Sequence, residues 1–507
     1  MIYLLAALPI LAVLGLMAGF RWGGQRAGPV GWLVGVGISA LAFGLTPQVL
    51  LVSQLKGLYL SFFVLWVLWP ALLLYHIVNQ AGGIRGIAAW LENAILDRGL
   101  LALVLAWIFS SWLEGLAGFG LPIAVVAPML VGIGVEPILA VAAVAIGHAW
   151  SVTFGDMGVI YQTLVGLVKI DSASLAPVAA VMLGAACLAC GLAAAWILGE
   201  RKRWPFVLVV GALMAVTQFA FAVGGVTPLA AFGAGLVGLA GSLVWGRIFS
   251  HRTSGSEEAG SQKKNGSLRN ALGSYGGLSL GMICISLIVP VRDAFNQVAL
   301  KMSFPEVTTR TNFSTAAGLQ IFRPLTHPGT MILLVGIISY FVFRRIGALQ
   351  NLAWRQVVSS TWSSAAPATV GIVTMVGLSA IMDHSGMTLL LAQALTQALG
   401  SIYPLVSPVV GILGAFATGS NNNSNVLFAS LQQSAAVILS IDPRLLLAAQ
   451  TAGGSMGSMV APAKLIVGCS TVGLKGRDGL VLRKTLPAGI LIGLGLGLIA
   501  LVWSLVR

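Results

Sequence analysis

The stretch GAFATGSNNNSNVLFASL, from Gly414 to Leu431, places glycines, hydroxyls and amides inside otherwise apolar sequence. A second stretch, EGLAGFGLPIAVVAP from Glu114 to Pro128, has the same character in the first half of the chain. Non-helical backbone at membrane depth is tolerated only where protein or a water-filled cavity covers it. The pair therefore predicts two re-entrant helical hairpins that meet inside a membrane protein.

The overall composition predicts the same class of protein. Of the 507 residues, 58% are hydrophobic and 8% are charged, whereas about a quarter of a soluble domain is charged. Unbroken apolar runs long enough to span a bilayer recur along the chain, and their lack of alternation excludes a barrel. We expect an all-α polytopic membrane protein, an inverted-repeat transporter with roughly 12–14 membrane helices.

The charges and cysteines exclude several other functions. The formal net charge is +14, but the Lys and Arg residues are spread through short loops, which favours orientation in a membrane over nucleic-acid binding. Cys187 and Cys190 lie in an apolar run, and Cys284 and Cys469 are isolated. Neither a disulfide framework, a metal site nor a cofactor is expected. The first apolar segment is interpreted as a retained helix, not a signal peptide.

The chain divides into two similar halves. Residues 1–249 form the first membrane half, with a break near 114–128, and residues 274–507 form the second, with a break near 418–431. The Ser- and Gly-rich segment 250–273 is predicted to be a cytoplasmic linker. The loop from Arg292 to Arg323 is expected outside the membrane on the opposite side.

Each break is followed by a matching series of features. An acid-proline pair comes next in both halves, Glu136-Pro137 and Asp442-Pro443. A helix follows, and it ends in a further small-residue break, at Ser151 to Gly158 in the first half and Gly453 to Lys464 in the second. Matching elements with opposite loop charges are what an inverted repeat predicts.

The substrate is expected between the two hairpins, because freed N–H groups and helix ends can hold an anion. Amides and hydroxyls of the second break would bind it without carrying charge. An ordinary extramembrane turn is the alternative, since Asn, Ser and Gly favour turns. The candidate substrate-binding residues are Gly118, Phe119, Gly120, Ser420, Asn421, Asn422, Asn423, Ser424 and Asn425.

Four ionisable residues are candidates for proton or ion coupling. Glu114 is an acid in strongly apolar sequence, which makes it a functional candidate, with helix capping as the alternative. His148 and Asp156 follow in the next segment; a packing histidine and a solvent-facing helix end are their alternatives. Lys464 would offer a positive charge to an anion, unless it snorkels to the inner surface.

These motifs resemble the L-lactate permease family. The resemblance rests on the Glu114–Pro128 stretch, on GSNNNSNVLF from Gly419 to Phe428, and on the long motif from Ala448 to Leu486, with HPGTM (His327–Met331) and MDHSGMT (Met382–Thr388) in support. It implies proton-linked transport of lactate or glycolate. It also implies hairpin tips at Gly118–Gly120 and Ser420–Asn425, an elevator-type movement and a homodimer.

One stretch differs from the family pattern. Typical members have a run similar to Asn-Thr-Ala-Pro-Val-Ala-Phe-Gly where this chain has HAWSVTFGDMG, from His148 to Gly158. His148, Trp150 and Asp156 in this stretch leave the substrate and the coupling chemistry open.

The sequence thus predicts proton-coupled symport of a small monocarboxylate, of the lactate or glycolate type, across a plasma membrane of the bacterial inner-membrane kind. The alternative is sodium-coupled transport of another small organic anion, a carboxylate or sulfonate. A channel is disfavoured because two breaks suit alternating access. An enzyme is not expected, because five His and four scattered Cys residues form no catalytic constellation.

Overall fold

The computed structural model describes residues 2–20, 22–83, 90–91, 93–116, 118, 120–168, 170–249, 289–349, 353–474 and 477–506. The predicted linker 250–273 lies outside the described residues, as do Phe119 and Cys284. The division into two halves around that linker therefore stays a prediction.

The described residues of the first half are mostly helical. Its longest helix has Thr46 as its N-cap, which accepts a hydrogen bond from the Val49 N–H, and Pro47 in its first turn. Both are typical helix-start residues. The helices are α1 (Ile2–Ala18), α2 (Gly24–Ala42), α3 (Pro47–Gln80), α4 (Arg98–Leu116), α5 (Leu121–Gly132), α6 (Pro137–Gly147), α7 (Val159–Leu167), α8 (Ser172–Ile197), α9 (Trp204–Val223) and α10 (Ala230–Phe249).

The described residues of the second half are mostly helical, apart from one segment with short strands. Its helices are α11 (Val289–Asn296), α12 (Pro328–Arg345), α13 (Ala353–His384), α14 (Met387–Leu399), α15 (Tyr403–Thr418), α16 (Asn421–Ile438), α17 (Pro443–Ser458), α18 (Pro462–Thr471) and α19 (Asp478–Val506). Across the described residues of both halves, nine helical stretches are long and apolar enough to cross a membrane. The predicted all-α polytopic fold is confirmed.

The segment from Arg292 to Arg323 carries structure that the sequence did not indicate. Strand β1 (Leu300–Phe304) pairs antiparallel with β4 (Gly318–Phe322), and β2 (Val307–Thr308) pairs with β3 (Ser314–Thr315). Such short strands leave too few residues for a recognisable alternating pattern. Buried apolar side chains of β1 and β2 pack against the first turns of α3.

The matching features of the two halves become matching helices. Hairpin α4–α5 corresponds to α15–α16, and α6 corresponds to α17. Gly147 and Gly453 lie at the same offset from the first proline of their helices, Pro137 and Pro443. A Cβ at Gly147 would overlap the Ala106 carbonyl oxygen of α4, and a Cβ at Gly453 would overlap the Pro408 carbonyl oxygen of α15. Glycine thus permits the same close backbone approach in both copies.

The helices pack in two groups. Helix α13 packs along α2 and α3, and α12 packs on α3. In the other group, α17 packs against α15, α16, α8 and α19, and α6 against α5, α8 and α19. Helix α16 of the second group contacts α13 of the first group, and it also contacts α7, which packs on α3. The second hairpin therefore lies where the two groups meet.

Candidate functional site

Both predicted hairpin tips are breaks between helices. Helix α4 ends at Leu116 and α5 begins at Leu121, after Gly120 with a φ of +83°. Helix α15 ends at Thr418 and α16 begins after Gly419, with a φ of +73°. Glycine adopts this left-handed conformation without the steric penalty of other residues. The glycines of both motifs therefore stop one helix and let the next begin at once.

The small-residue break at Ser151 to Gly158, in the first half, contacts the second hairpin. The Thr153 hydroxyl lies 3.1 Å from the Asn421 Nδ2, which donates to it, and 2.6 Å from the Ser455 hydroxyl. It also donates to the Thr451 carbonyl oxygen at 3.0 Å. All four side chains are fully or almost fully buried. These bonds join the two halves of the chain at the second tip.

The small-residue break at Gly453 to Lys464, in the second half, contacts the first hairpin. The Lys464 Nζ lies 4.0 Å from the Glu114 Oε1, and the Lys464 Cγ would lie 3.8 Å from a Cβ at Gly120. The Glu114 side chain is only 1% exposed and that of Lys464 only 9%. Each half therefore supplies a residue to the hairpin of the other.

A cavity of about 330 Å³ lies between these elements. Helices α2 and α13 form its other wall, through Gln25 and Ser364 among others. The first turns of α7, α16 and α18 also line it, and helix N-termini carry partial positive charge. The predicted site residues that line the cavity are Glu114, Asp156, Ser420, Asn421, Asn422, Asn423 and Lys464.

Two carboxylates flank the first tip at Gly118. The Gly118 N–H donates to the Asp156 Oδ1 at 2.9 Å. A Cβ at Gly118 would lie 2.9 Å from the Glu114 Oε1 and 3.3 Å from the Asp156 Oδ2, so only glycine fits between them without displacement. Asp156 has a φ of +56°, a costly conformation for a non-glycine residue that is held only by its surroundings.

A buried histidine completes this cluster. The His148 Nδ1 lies 2.6 Å from the Val144 carbonyl oxygen, to which it can only donate. The His148 Nε2 therefore presents its lone pair when the ring is neutral, and it lies 4.0 Å from the Glu114 Oε2. Neither of these two atoms has a hydrogen-bond partner among the described residues.

A model of the L-lactate permease family matches residues 3–506. The chain belongs to the L-lactate permease family. This confirms the resemblance carried by the motifs, and together with the apolar helices it makes the chain a multi-pass protein of the plasma membrane.

Individual relatives align over nearly the whole chain. An L-lactate permease of Bacillus subtilis (strain 168) is 28% identical, with 95% of this chain and 92% of that protein covered. The glycolate permease GlcA of Escherichia coli (strain K12) is 26% identical, with 99% and 96% covered. The solved YdaH transporter of Alcanivorax borkumensis is 18% identical with a TM-score of 0.48, and 86% of this chain and 84% of that one are covered.

The predicted substrate-binding residues of the second tip fall into two groups. Ser420, Asn421, Asn422 and Asn423 line the cavity. Ser424 and Asn425 are fully buried behind it, where Ser424 donates to the Gly411 carbonyl oxygen and Asn425 to the Thr451 hydroxyl. Both side chains are therefore bonded to the protein and do not line the cavity, and their role in binding stays a prediction.

The predicted residues of the first tip lie in different surroundings from one another. The Gly118 N–H was expected to hold the substrate, but it already donates to Asp156. Gly120 lies beside Lys464, and Phe119 lies outside the described residues. Among the described lining residues, Lys464 offers an ammonium donor at this end of the cavity.

Several cavity or network residues were not singled out from the sequence. Thr153, Thr451 and Ser455 lie in or next to the second breaks, so their hydroxyls inside apolar sequence were a usable signal. Gln25 and Ser364 carry no such signal, because only the packing of α2 and α13 brings them to the cavity.

Proposed function

We propose that this protein is a proton-coupled symporter of a small monocarboxylate, of the lactate or glycolate type. The observation that carries the proposal is the buried pair Lys464 and Glu114, with Nζ and Oε1 4.0 Å apart at the wall of a cavity between two hairpin tips. The names of the relatives, L-lactate permease and glycolate permease, favour the same substrates.

The cavity has the chemistry to bind one carboxylate. Lys464 is the only lysine or arginine among its described lining residues. The first turns of α7, α16 and α18 add the partial positive charge of three helix N-termini. The Ser420 hydroxyl at the second tip adds an uncharged donor. A singly charged anion matches this single cation better than a dicarboxylate does.

Coupling follows from competition for Lys464. An arriving carboxylate takes the ammonium group as its partner and leaves the Glu114 carboxylate without one. An unpaired charge in a buried membrane site costs several kcal/mol. A proton on Glu114 removes that cost, so the anion and the proton enter the cavity together. His148 Nε2 and Asp156 stand nearby as further proton acceptors.

Alternating access would come from movement of the hairpin-bearing helices against α2, α3 and α13. Residues from both groups of helices line the cavity, so a relative displacement would open it to one side and close it to the other. The predicted homodimer would hold α2, α3 and α13 still in the membrane.

A sodium-coupled mechanism is the second candidate. The Oδ1 atoms of Asn421 and Asn425 are buried and have no hydrogen-bond partner among the described residues. Unpaired carbonyl oxygens of this kind are suitable ligands for a hard cation. In this alternative the anion still binds at Lys464, and a sodium ion replaces the proton as the coupling ion.

Uptake by proteoliposomes separates these possibilities. We expect labelled lactate or glycolate to accumulate when the outside is made more acidic than the inside, with no sodium present. Accumulation should collapse when a protonophore abolishes the pH gradient. Accumulation driven only by a sodium gradient at clamped pH would replace the proton mechanism with the sodium one. Absence of uptake under both gradients would contradict the proposed function.

A further inference from the structure

The three asparagines of the second tip that are buried differ in their hydrogen bonds. Asn421 Nδ2 donates to the Thr451 carbonyl oxygen at 3.1 Å, and Asn425 Nδ2 donates to the Thr451 hydroxyl at 2.9 Å. The Asn422 side chain makes no hydrogen bond with any described residue, although Asn422 is only 7% exposed. Its Oδ1 is buried without a hydrogen-bond partner among the described residues.

An unpaired amide in such a position needs an explanation. Buried polar side chains are nearly always hydrogen-bonded, because an unsatisfied donor or acceptor keeps its desolvation penalty. Asn422 lines the cavity, and its tip packs against the Lys464 segment, where a Cβ at Gly419 would lie 3.2 Å from the Ala463 Cβ. Asn422 and Lys464 therefore line the same cavity of about 330 Å³.

The amide offers one donor group and one acceptor group to that ligand. A half-turn about the Cβ–Cγ bond exchanges the positions of the amide oxygen and nitrogen, so either atom can face the cavity. Asn421 and Asn425 lack this freedom, because their Nδ2 atoms are already committed to Thr451. Asn422 can thus accept from a hydroxyl of the ligand, which the positively charged Lys464 cannot do.

We propose that Asn422 recognises the hydroxyl group next to the carboxylate of the substrate. This inference rests on the proposed function, and it makes Asn422 the residue that distinguishes a 2-hydroxy acid from the same acid without the hydroxyl. Lactate and glycolate both carry that hydroxyl, whereas propionate and acetate have only the carboxylate. A site built to bond a hydroxyl rejects the analogue that lacks it, because the buried amide is then left unpaired.

The test compares lactate with propionate, which differ by this hydroxyl alone. Unlabelled lactate and propionate compete for uptake of labelled lactate into proteoliposomes that contain the wild type, Asn422→Leu or Asn423→Leu. In the wild type we expect lactate to compete at least about tenfold better than propionate. In Asn422→Leu the two acids should compete almost equally, because the variant binds lactate more weakly than the wild type does but binds propionate equally well.

Asn423→Leu is the matched control. Asn423 also lines the cavity from the same helical turn, but it is partly exposed and faces Gly24 of α2. We expect this variant to keep the wild-type preference for lactate over propionate. Asn422→Ala serves the same purpose as Asn422→Leu if the larger side chain prevents folding.

The outcomes separate the inference from the proposed function. If the wild type transports lactate but does not prefer it to propionate, or if both Asn422 variants keep the full preference, the role of Asn422 is refuted while the symporter remains. If the wild type neither binds nor transports either acid, the proposed function itself fails.

Discussion

Lys464 and Glu114 come from opposite halves of the chain, yet the Lys464 Nζ lies 4.0 Å from the Glu114 Oε1 inside the membrane domain. Lys464 lies at the end of the last break of the second half, in the first turn of α18, and Glu114 lies in the last turns of α4, just before the first hairpin tip. Both residues line the cavity, and their contact joins the first hairpin to the segment around Lys464. The two residues can therefore be tested separately for coupling and for binding.

Replacing Glu114 by glutamine should uncouple transport. Glu114→Gln keeps the shape of the side chain but cannot exchange a proton. We expect accumulation of lactate driven by a pH gradient to fall at least about tenfold. Without a side chain that carries the proton, the pH gradient no longer drives uptake. Exchange of labelled for unlabelled lactate at equal pH should persist, because it needs no net proton movement.

The control for this change is Glu136→Gln. Glu136 precedes α6, makes no side-chain cap hydrogen bond and does not line the cavity. It should leave both accumulation and exchange close to the wild-type rates. Normal pH-driven accumulation by Glu114→Gln would assign the proton to another group.

Removing Lys464 should weaken binding and stability together. Lys464→Ala takes the cation from the cavity, so we expect the KM for lactate to rise at least about tenfold. It also leaves Glu114 as an uncompensated buried charge, a change that typically costs about 3–5 kcal/mol. Thermal unfolding of purified protein should show a lower midpoint for Lys464→Ala.

A double variant tests whether that loss of stability comes from the charge pair. Lys464→Ala combined with Glu114→Gln removes both charges, so it should melt above Lys464→Ala alone. Lys484→Ala, an exposed lysine of α19, serves as the control and should melt like the wild type. A double variant that is less stable than Lys464→Ala would show that the pair does not act through its charges.

The Thr153 hydroxyl should stabilise the contact between the two halves. Thr153→Val keeps the shape and leaves the Asn421 amide and the Ser455 hydroxyl with one partner fewer. Loss of a buried hydrogen-bond partner typically costs about 1–3 kcal/mol. We expect a lower melting midpoint than for Thr163→Val, whose hydroxyl donates only to the Val159 carbonyl oxygen of its own helix. Equal midpoints would mean that the network adds no stability.

The glycines of α6 and α17 should be equally intolerant of a side chain. Gly147→Ala and Gly453→Ala each place a methyl group against a carbonyl oxygen of the neighbouring hairpin. We expect a marked loss of folded protein in detergent for both. Gly37→Ala on α2 is the control, because no atom lies within 4 Å of its Cβ position. Wild-type yields of both variants would contradict the close packing of the two repeats.

The sequence by itself determined the membrane class, the helical fold and the places where helices break. These features depend on local properties, namely the length of apolar runs and the conformational freedom of residues such as Gly120 and Gly419. The sequence also indicated Glu114 and Lys464 as functional candidates, because charges are rare and costly in such apolar surroundings.

Only the tertiary structure decided which residues of those breaks face the cavity. Asn422 and Asn425 are three positions apart in the same polar run, yet one lines the cavity and the other is held by Thr451. The contact between Thr153 and Asn421 joins residues 268 positions apart. No local pattern encodes such a contact, because it depends on how whole helices pack, and Gln25 and Ser364 reach the cavity for the same reason.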